Sequence, residues 1–263
     1  MDKLGKLNRI LDDLGSCLLA FSGGTDSSFL LQVAYRRLGG NLLAVTADSP
    51  TYPAQELIFS KELAKRIGAR HRVIRTGELK QRSFYSNPKE RCYYCKKELF
   101  GRLKKMARRL KIKHVIDASN ITDKDDFRPG ERAKKELGIR SPLVEAGFSK
   151  QEIRRYSKAM GLTTWDKPNL ACLASRIPYG RMITSELLSR IGRGEEFLQG
   201  LGLRQVRIRD YGDLCRIEVP VSQISRLIRR RVLVVERLSK LGYNYITVDL
   251  QGYRTGSMNQ IRR

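Results

Sequence analysis

Histidine is almost missing from this chain: His71 and His114 are the two it has. Neither stands beside a Ser or Cys in a relay-like pattern, which argues against a Ser-His-Asp mechanism and against a His-rich zinc site. Both read as strand-end or surface residues. Long apolar runs are missing too: no stretch reaches the roughly 20 residues of a membrane span. Residues 1–9 are polar and carry no signal-peptide pattern, so a cytoplasmic location with no membrane partner is expected. Acid is scarce, with 27 Asp and Glu against 52 Lys and Arg and a formal charge of +25. Such a field draws polyanions and phosphorylated small molecules. RNA is one such partner, and solvated basic helix faces at 102–113 and 226–231 are another outlet for the same charge. What remains, 263 residues with 41% hydrophobic content, suits one large or two modest globular domains with a proper core. There is no internal repeat and no low-complexity segment.

The densest signal is Leu18-Leu19-Ala20-Phe21-Ser22-Gly23-Gly24-Thr25-Asp26-Ser27-Ser28. A short apolar run breaks into Ser-Gly-Gly, and a helix-like pattern follows at once. Two glycines let the backbone turn sharply and approach a ligand closely. The amides of the turn and of the next helix's first turn then converge on one spot of partial positive charge. Such a spot binds phosphate, and Ser22, Ser27 and Ser28 add hydroxyl donors. No Gly-Lys-Ser/Thr follows, so this is not a Walker A loop.

Strand-like and helix-like segments alternate through residue 165. Strands are expected at 18–21, 42–47, 70–75 and 114–118, with helices at 27–38, 54–67, 95–110, 131–137 and from Ser149, and an extended piece at 140–143. That alternation predicts an α/β fold, a parallel sheet with helices on both faces. Ligands then bind beyond the carboxyl ends of the strands, where 22–28, 47–50 and 119–130 are polar and rich in Gly, Ser and Asp. An irregular segment at 166–183 separates this first domain (1–165) from a small C-terminal α/β domain (184–263). There the pattern reads helix 184–201, strands 205–210 and 214–219, helix 222–241 and strand 245–250.

Five cysteines sort into two kinds. Cys17 and Cys215 fall in strands and read as small core residues. Cys92 and Cys95 form C-Y-Y-C just ahead of a basic helix, beside Arg91, Lys96 and Lys97, a setting that favours thiolate. A lone CxxC is compatible with redox work, half a zinc site or cluster ligation. Cys172, in a Pro-bounded segment beside Ser175 and Arg176, reads either as a nucleophile or ligand or as a buried loop residue. Three thiolates without an evident fourth ligand fit a [4Fe–4S] cluster with one open iron.

The SGG-x-DS pattern resembles the PP-loop of the ATP pyrophosphatases, which split ATP into AMP and pyrophosphate to activate an oxygen for attack. The wider chain resembles the LarE family, ATP-dependent sulfur transferases that help build the nickel-pincer nucleotide cofactor of lactate racemase. The resemblance rests on SGGTDSS at 22–28, AVTADSP at 44–50, ERCYYCKKELF at 90–100, DASNITDKDDFRPG at 117–130 and SPLVEAGFSKQEIR at 141–154. It continues in CLASRIPYG at 172–180, VRIRDYGDLCRIEV at 206–219 and GYRTGSMN at 252–259. Ala118-Ser119 departs conservatively from the usual Gly-Thr.

The resemblance implies that Ser22, Gly23, Gly24, Asp26, Ser27 and Ser28 hold the ATP phosphates. Backbone at Ala20 and Ala47 frames the adenosine, and Asn120, Asp123, Asp126 and Arg128 lie on the loop covering it. It makes Cys172, Asp26, Arg207 and Glu195 catalytic and puts Ser175, Arg176, Arg207 and Glu218 on the substrate. Cys92, Cys95 and Cys172 match the three-cysteine branch that carries a [4Fe–4S] cluster. ATP with Mg2+, a sulfide donor, a small nucleotide substrate and a homo-oligomer complete the implication. The implied reaction adenylates pyridinium-3,5-biscarboxylic acid mononucleotide and replaces AMP by sulfur, giving a thiocarboxylate.

Two other readings compete. A PP-loop iron–sulfur tRNA thiolase would suit +25, but no zinc knuckle or RNP-like aromatic motif is present to hold RNA, so no nucleic-acid partner is expected. A non-catalytic nucleotide-binding or metal-delivery protein would leave the loop and the thiols without a joint purpose. Within the favoured reading, Cys172 could instead give up its own sulfur.

Overall fold

Four short strands carry the first half of the protein. The computed structural model describes residues 2–122, 129–168, 171–254 and 256–258. In it β1 (Cys17–Ala20), β2 (Leu42–Asp48), β3 (Arg70–Arg75) and β4 (His114–Ile116) pair in parallel, in the order β3-β2-β1-β4. Side chains alternate across a strand, and the core divides accordingly. Cys17, Leu19, Leu42, Ala44 and Ile116 face one buried cluster, and Leu18, Leu43, Val45 and Val115 face another. The first cluster is closed by α1 (Lys3–Leu14), α2 (Thr25–Leu38), α3 (Ala54–Ile67), α7 (Pro142–Glu145) and α8 (Lys150–Ala159). The second is closed by Phe100, Leu103 and Ala107 of α5 (Arg91–Arg109). The expected α/β fold, a parallel sheet covered on both faces, is what the chain forms.

The chain runs from β1 outward through β2 to β3, then returns to place β4 on the other side of β1. Loops leaving β1 and β4 therefore diverge at their carboxyl ends, where a crevice opens in such sheets.

Several boundaries differ from expectation. The N-terminal segment, polar at first sight, is helix α1, because Leu7, Leu11 and Leu14 recur on one face and are buried. Helix α5 begins at Arg91, four residues early, so Cys92 and Cys95 lie inside it. Only Arg140 of the expected strand at 140–143 pairs, in a single parallel bridge to Ile116. Pro142 then opens α7 at a helix's first turn, where its missing N–H costs nothing. Two short helices, α4 (Arg82–Tyr85) and α6 (Gly130–Glu136), complete this part.

Helix α8 is fastened by a capping box: Glu152 N–H donates to Ser149 Oγ, and Ser149 N–H donates to Glu152. Lys3 Nζ adds bonds of 2.7 and 2.8 Å to the same carboxylate. Lys3 first, then the Ser149 amide and hydroxyl, pull the Glu152 carboxyl down to about 2. A carboxyl lowered in the folded state stabilises above its unfolded pKa, about 4.3, and that contribution fades as pH falls toward the folded value. Glu152→Gln is therefore expected to have a melting temperature that falls less than the wild type's between about pH 5 and pH 2. Parallel curves in thermal melts across that range would contradict it.

The chain divides into two units: Met1–Ser49, Ala54–Phe84 and Lys89–Asn169 form one, and Pro50–Pro53, Tyr85–Pro88 and Leu170–Arg263 the other. In the second, β5 (Arg207–Asp210) pairs antiparallel with β6 (Leu214–Glu218), which pairs in parallel with β7 (Tyr245–Val248). Helix α9 (Ser185–Gly200) lies close on this sheet. A Cβ at Gly194 would come within 2.6 Å of Ile208 Cδ1, so any larger residue there would have to displace that side chain. The helix expected over 222–241 is broken. A 3-10 turn at Val221–Gln223 precedes α10 (Ile224–Arg229) and α11 (Arg231–Ser239), and the break falls within three consecutive arginines. The two short segments from earlier in the chain are bonded in place: Leu173 N–H donates to Thr51 O at 2.7 Å, and Asn87 Nδ2 donates to Pro178 O at 2.7 Å. Among the described residues no helix is long and apolar enough to cross a membrane.

Candidate active site

The loop after β1 is built as its sequence suggests. Gly23 takes a φ of +71°, left-handed backbone that favours glycine. A Cβ there would lie 3.2 Å from Ser60 Cβ and 3.3 Å from Phe59 Cδ1, so the turn is also pressed against α3. Gly24 is the N-cap of α2 and has no side chain to occupy the helix end. Its N–H reaches Ser22 Oγ at 3.4 Å, the outer limit of a hydrogen bond. Ser27 Oγ donates to Gly24 O at 3.1 Å and lies 3.1 Å from Ser22 Oγ. Ser28 is fully buried, and its hydroxyl has no partner among the described residues. A buried unmet hydroxyl at the first turn of a 14-residue helix suits an anionic guest. If residues 22–28 are the phosphate cradle that the sequence leads one to expect, Gly23→Ala should weaken ATP and pyrophosphate binding about tenfold or more, since left-handed alanine alone costs about 1–2 kcal/mol. Unchanged affinity by calorimetry would contradict this reading of the loop.

Three cations surround this cradle that sequence reasoning did not single out. Lys150, at the start of α8, bonds Asp26 Oδ2 at 2.6 Å. Lys167 Nζ bonds Gly23 O at 3.1 Å and Glu56 Oε2 at 2.7 Å. Arg154 Nη2 donates to Lys167 O at 3.0 Å. Nothing local in the sequence marks the two lysine pairs, because their partners lie more than 100 residues away. Ala20 and Ala47, expected at the adenosine, sit half-buried at the carboxyl ends of β1 and β2.

After β4, Asn120 is buried and its Oδ1 accepts Thr122 N–H at 2.9 Å. That loop is anchored by Asp117, which accepts Lys134 Nζ at 2.9 Å and Ser141 Oγ at 2.5 Å. Burial pushes the Asp117 carboxyl up, but Lys134 and the serine hydroxyls outweigh it and hold it low. Asp123, Asp126 and Arg128 lie outside the described residues.

The cysteines separate by burial. All five are free. Burial pushes the thiols of Cys17 and Cys215 up to about 12, which removes both as nucleophiles. Cys92 is exposed and Cys95 half-buried on the first turns of α5, three residues apart and hence on one helix face. Cys172 is half-buried in the second unit, at the start of a 3-10 turn, Leu173–Arg176. Among the described residues no three His, Cys, Asp or Glu side chains gather as a ready metal site.

The second unit holds the remaining expected residues. Arg176 is fully buried and commits its donors internally: Nε and Nη2 each lie 2.9 Å from a Glu195 oxygen. Its Nη1 donates to Ala171 O, to Cys172 O at 2.8 Å and to Ser175 Oγ at 3.1 Å. Ser175 Oγ donates to Cys172 O at 2.7 Å, and Glu195 Oε1 also accepts Ile208 N–H at 2.9 Å. Arg176 and Glu195 thus fix the turn that carries Cys172.

Residues 207 and 209 share one face of β5, and Arg216 and Glu218 the matching face of β6. Glu218 accepts Arg209 Nη2 at 2.6 Å and Arg216 Nη2 at 3.1 Å. Burial first, and then the like charge of Arg176, push Arg207 down to about 10, which leaves it a cation at neutral pH. Its guanidinium lies 5.3 Å from the Tyr253 ring centre. The Arg-Ile-Arg alternation carried the signal for Arg209, which the sequence reading passed over.

No protein-family model matches the chain. Over 261 residues it is 42% identical to an uncharacterised protein of Synechocystis sp., covering 98% of this chain and 97% of that one. It is 35% identical over 258 residues to the pyridinium-3,5-bisthiocarboxylic acid mononucleotide synthase of Lactiplantibacillus plantarum, covering 98% and 94%. It is 29% identical over 238 residues to an uncharacterised protein of Methanocaldococcus jannaschii, with 90% of each covered.

Proposed function

The chain belongs to the LarE family, in which the Lactiplantibacillus plantarum synthase stands, and on that premise we propose that it is an ATP-dependent sulfur transferase acting on pyridinium-3,5-biscarboxylic acid mononucleotide. The carrying observation is the near end-to-end match to that synthase; the glycine loop at the end of β1 is consistent with it.

In this reading residues 22–28 take the ATP phosphates, with Mg2+ arriving on the nucleotide near Asp26. A substrate carboxylate oxygen attacks the α-phosphorus. The bond to the β-phosphate breaks, its electron pair leaves with pyrophosphate, and the loop amides with Lys150 and Lys167 nearby meet that charge. Hydrosulfide then attacks the adenylated carbonyl and AMP departs, leaving a thiocarboxylate. In the second unit, Arg207 and Arg209 supply positive charge for a substrate bearing one phosphate and two carboxylates. Arg176 and Glu195 hold Cys172 in place.

Cys92, Cys95 and Cys172 would hold a [4Fe–4S] cluster. The fit is chemical: two accessible thiols share one face of α5, and the third, Cys172, is the one other cysteine not locked in a core. When bound, the group supplies an open iron at which hydrosulfide can be held, so that Cys172 need not be consumed.

Purified protein given ATP, Mg2+, sulfide and the biscarboxylic mononucleotide should release AMP and pyrophosphate and form the thiocarboxylate. ATP cleavage dependent on tRNA, with none on the mononucleotide, would overturn this in favour of a tRNA thiolase.

A further inference from the structure

Lys167 stands in the segment between the two expected domains, yet the structure fastens it to the phosphate loop. The turn that carries it is held from two sides: Thr25 Oγ1 and the Lys167 N–H both donate to Thr164 O, at 2.8 and 3.2 Å, and Arg154 Nη2 donates to Lys167 O at 3.0 Å. The side chain passes over Phe59, with Nζ 3.7 Å from the ring centre, and ends on Gly23 O at 3.1 Å and Glu56 Oε2 at 2.7 Å. It is largely buried, at 15% exposure.

The bond to Gly23 O has a consequence for the cradle. In a trans peptide the carbonyl and the following N–H point in opposite directions. Fixing Gly23 O therefore fixes the direction of the Gly24 N–H, the donor that meets Ser22 Oγ only at 3.4 Å. A Gly-Gly peptide has little of its own to prevent a flip, because neither residue has a Cβ to restrict it. A flip would turn a carbonyl oxygen toward an incoming phosphate.

We propose that Lys167 is a positioning residue of the phosphate loop, locking the Gly23–Gly24 peptide so that its N–H faces the β- and γ-phosphates of a nucleoside triphosphate, or free pyrophosphate. The assignment rests on the reading of residues 22–28 as a phosphate cradle. Lys167 acts through the peptide, and its charge favours the same guest. Glu56 holds the ammonium from the other side without touching the loop.

The test uses the full-length protein with Mg2+ and three probes, inorganic pyrophosphate, ATP and AMP, measured by calorimetry. Lys167→Met is expected to weaken pyrophosphate and ATP binding roughly 10- to 100-fold, the value of a charge-assisted hydrogen bond. AMP, which lacks the β- and γ-phosphates, should change by less than about threefold, a difference too small for a lost hydrogen bond. Lys167→Arg should restore most of the loss. Glu56→Ala breaks the same ion pair but spares the Gly23 bond, so its pyrophosphate affinity should stay within about threefold of wild type.

Equal weakening by Lys167→Met and Glu56→Ala would overturn the proposal in favour of a plain structural ion pair, as would unchanged pyrophosphate binding in Lys167→Met. If Lys167→Met does not fold, a Lys167→Arg protein that binds pyrophosphate normally while Glu56→Ala also does so supports the proposal. Loss in both of those variants overturns it. A wild-type protein that binds neither ATP nor pyrophosphate removes the cradle reading itself, an outcome distinct from all of these.

Discussion

Cys172→Ala is expected to abolish thiocarboxylate formation, by more than about a thousandfold, the scale on which loss of an essential reacting group is felt. Pyrophosphate release on substrate addition should survive, because adenylation is assigned to the loop after β1. The fold should survive as well: Cys172 is half-buried at the start of a 3-10 turn, and its backbone carbonyl, which the substitution leaves in place, accepts from Ser175 and Arg176. Cys92→Ala separates two sources of sulfur. If three thiols hold a cluster, this variant loses iron and multiple turnover together. If Cys172 gives up its own sulfur, the variant still completes one turnover and leaves dehydroalanine at 172. Iron and sulfide counts on anaerobically purified protein, read beside single-turnover assays, decide between them.

Arg176→Ala is the second large effect, and it falls on stability. The guanidinium is wholly buried and makes a paired contact with Glu195, which is 3% exposed. Removing one partner of a buried ion pair strands the other charge and costs about 3–5 kcal/mol. Here the carbonyls of Ala171 and Cys172 lose a donor as well. For a chain of this size, 1 kcal/mol moves the melting temperature by about 2–4 °C, so a fall on the order of 10 °C is expected. The double change Arg176→Met with Glu195→Leu removes both charges and should recover much of the stability. It should not recover sulfur transfer, because the Cys172 turn still lacks its clamp. Recovery of both would show that Arg176 serves the fold alone. A melting temperature unchanged in Arg176→Ala would contradict the geometry.

The parts legible in the sequence were those written in local period. Strands β1, β2 and β4 and helices α2 and α3 follow short apolar runs and an amphipathic repeat, and the glycine turn follows from Gly23 and Gly24. What escaped depended on partners distant in sequence. Lys167 was read as part of an irregular linker, because its meaning comes from Gly23 O and Glu56, 144 and 111 residues away. Arg176 was read as a counter-charge for substrate, and only burial against Glu195 reveals it as a clamp. Helix α1 was passed over because lysines and aspartates among its leucines masked the spacing of Leu7, Leu11 and Leu14. The early start of α5 mattered most for chemistry, since it turns C-Y-Y-C from a loop motif into two thiols on one helix face.

The most direct test is one anaerobic reaction containing protein, ATP, Mg2+, sulfide and pyridinium-3,5-biscarboxylic acid mononucleotide, with product and protein both weighed by mass spectrometry. The account predicts thiocarboxylate in step with pyrophosphate over many turnovers, with Cys172 intact. No thiocarboxylate would contradict the assigned reaction, and Cys172 lost as dehydroalanine in proportion to product would contradict the assigned source of sulfur.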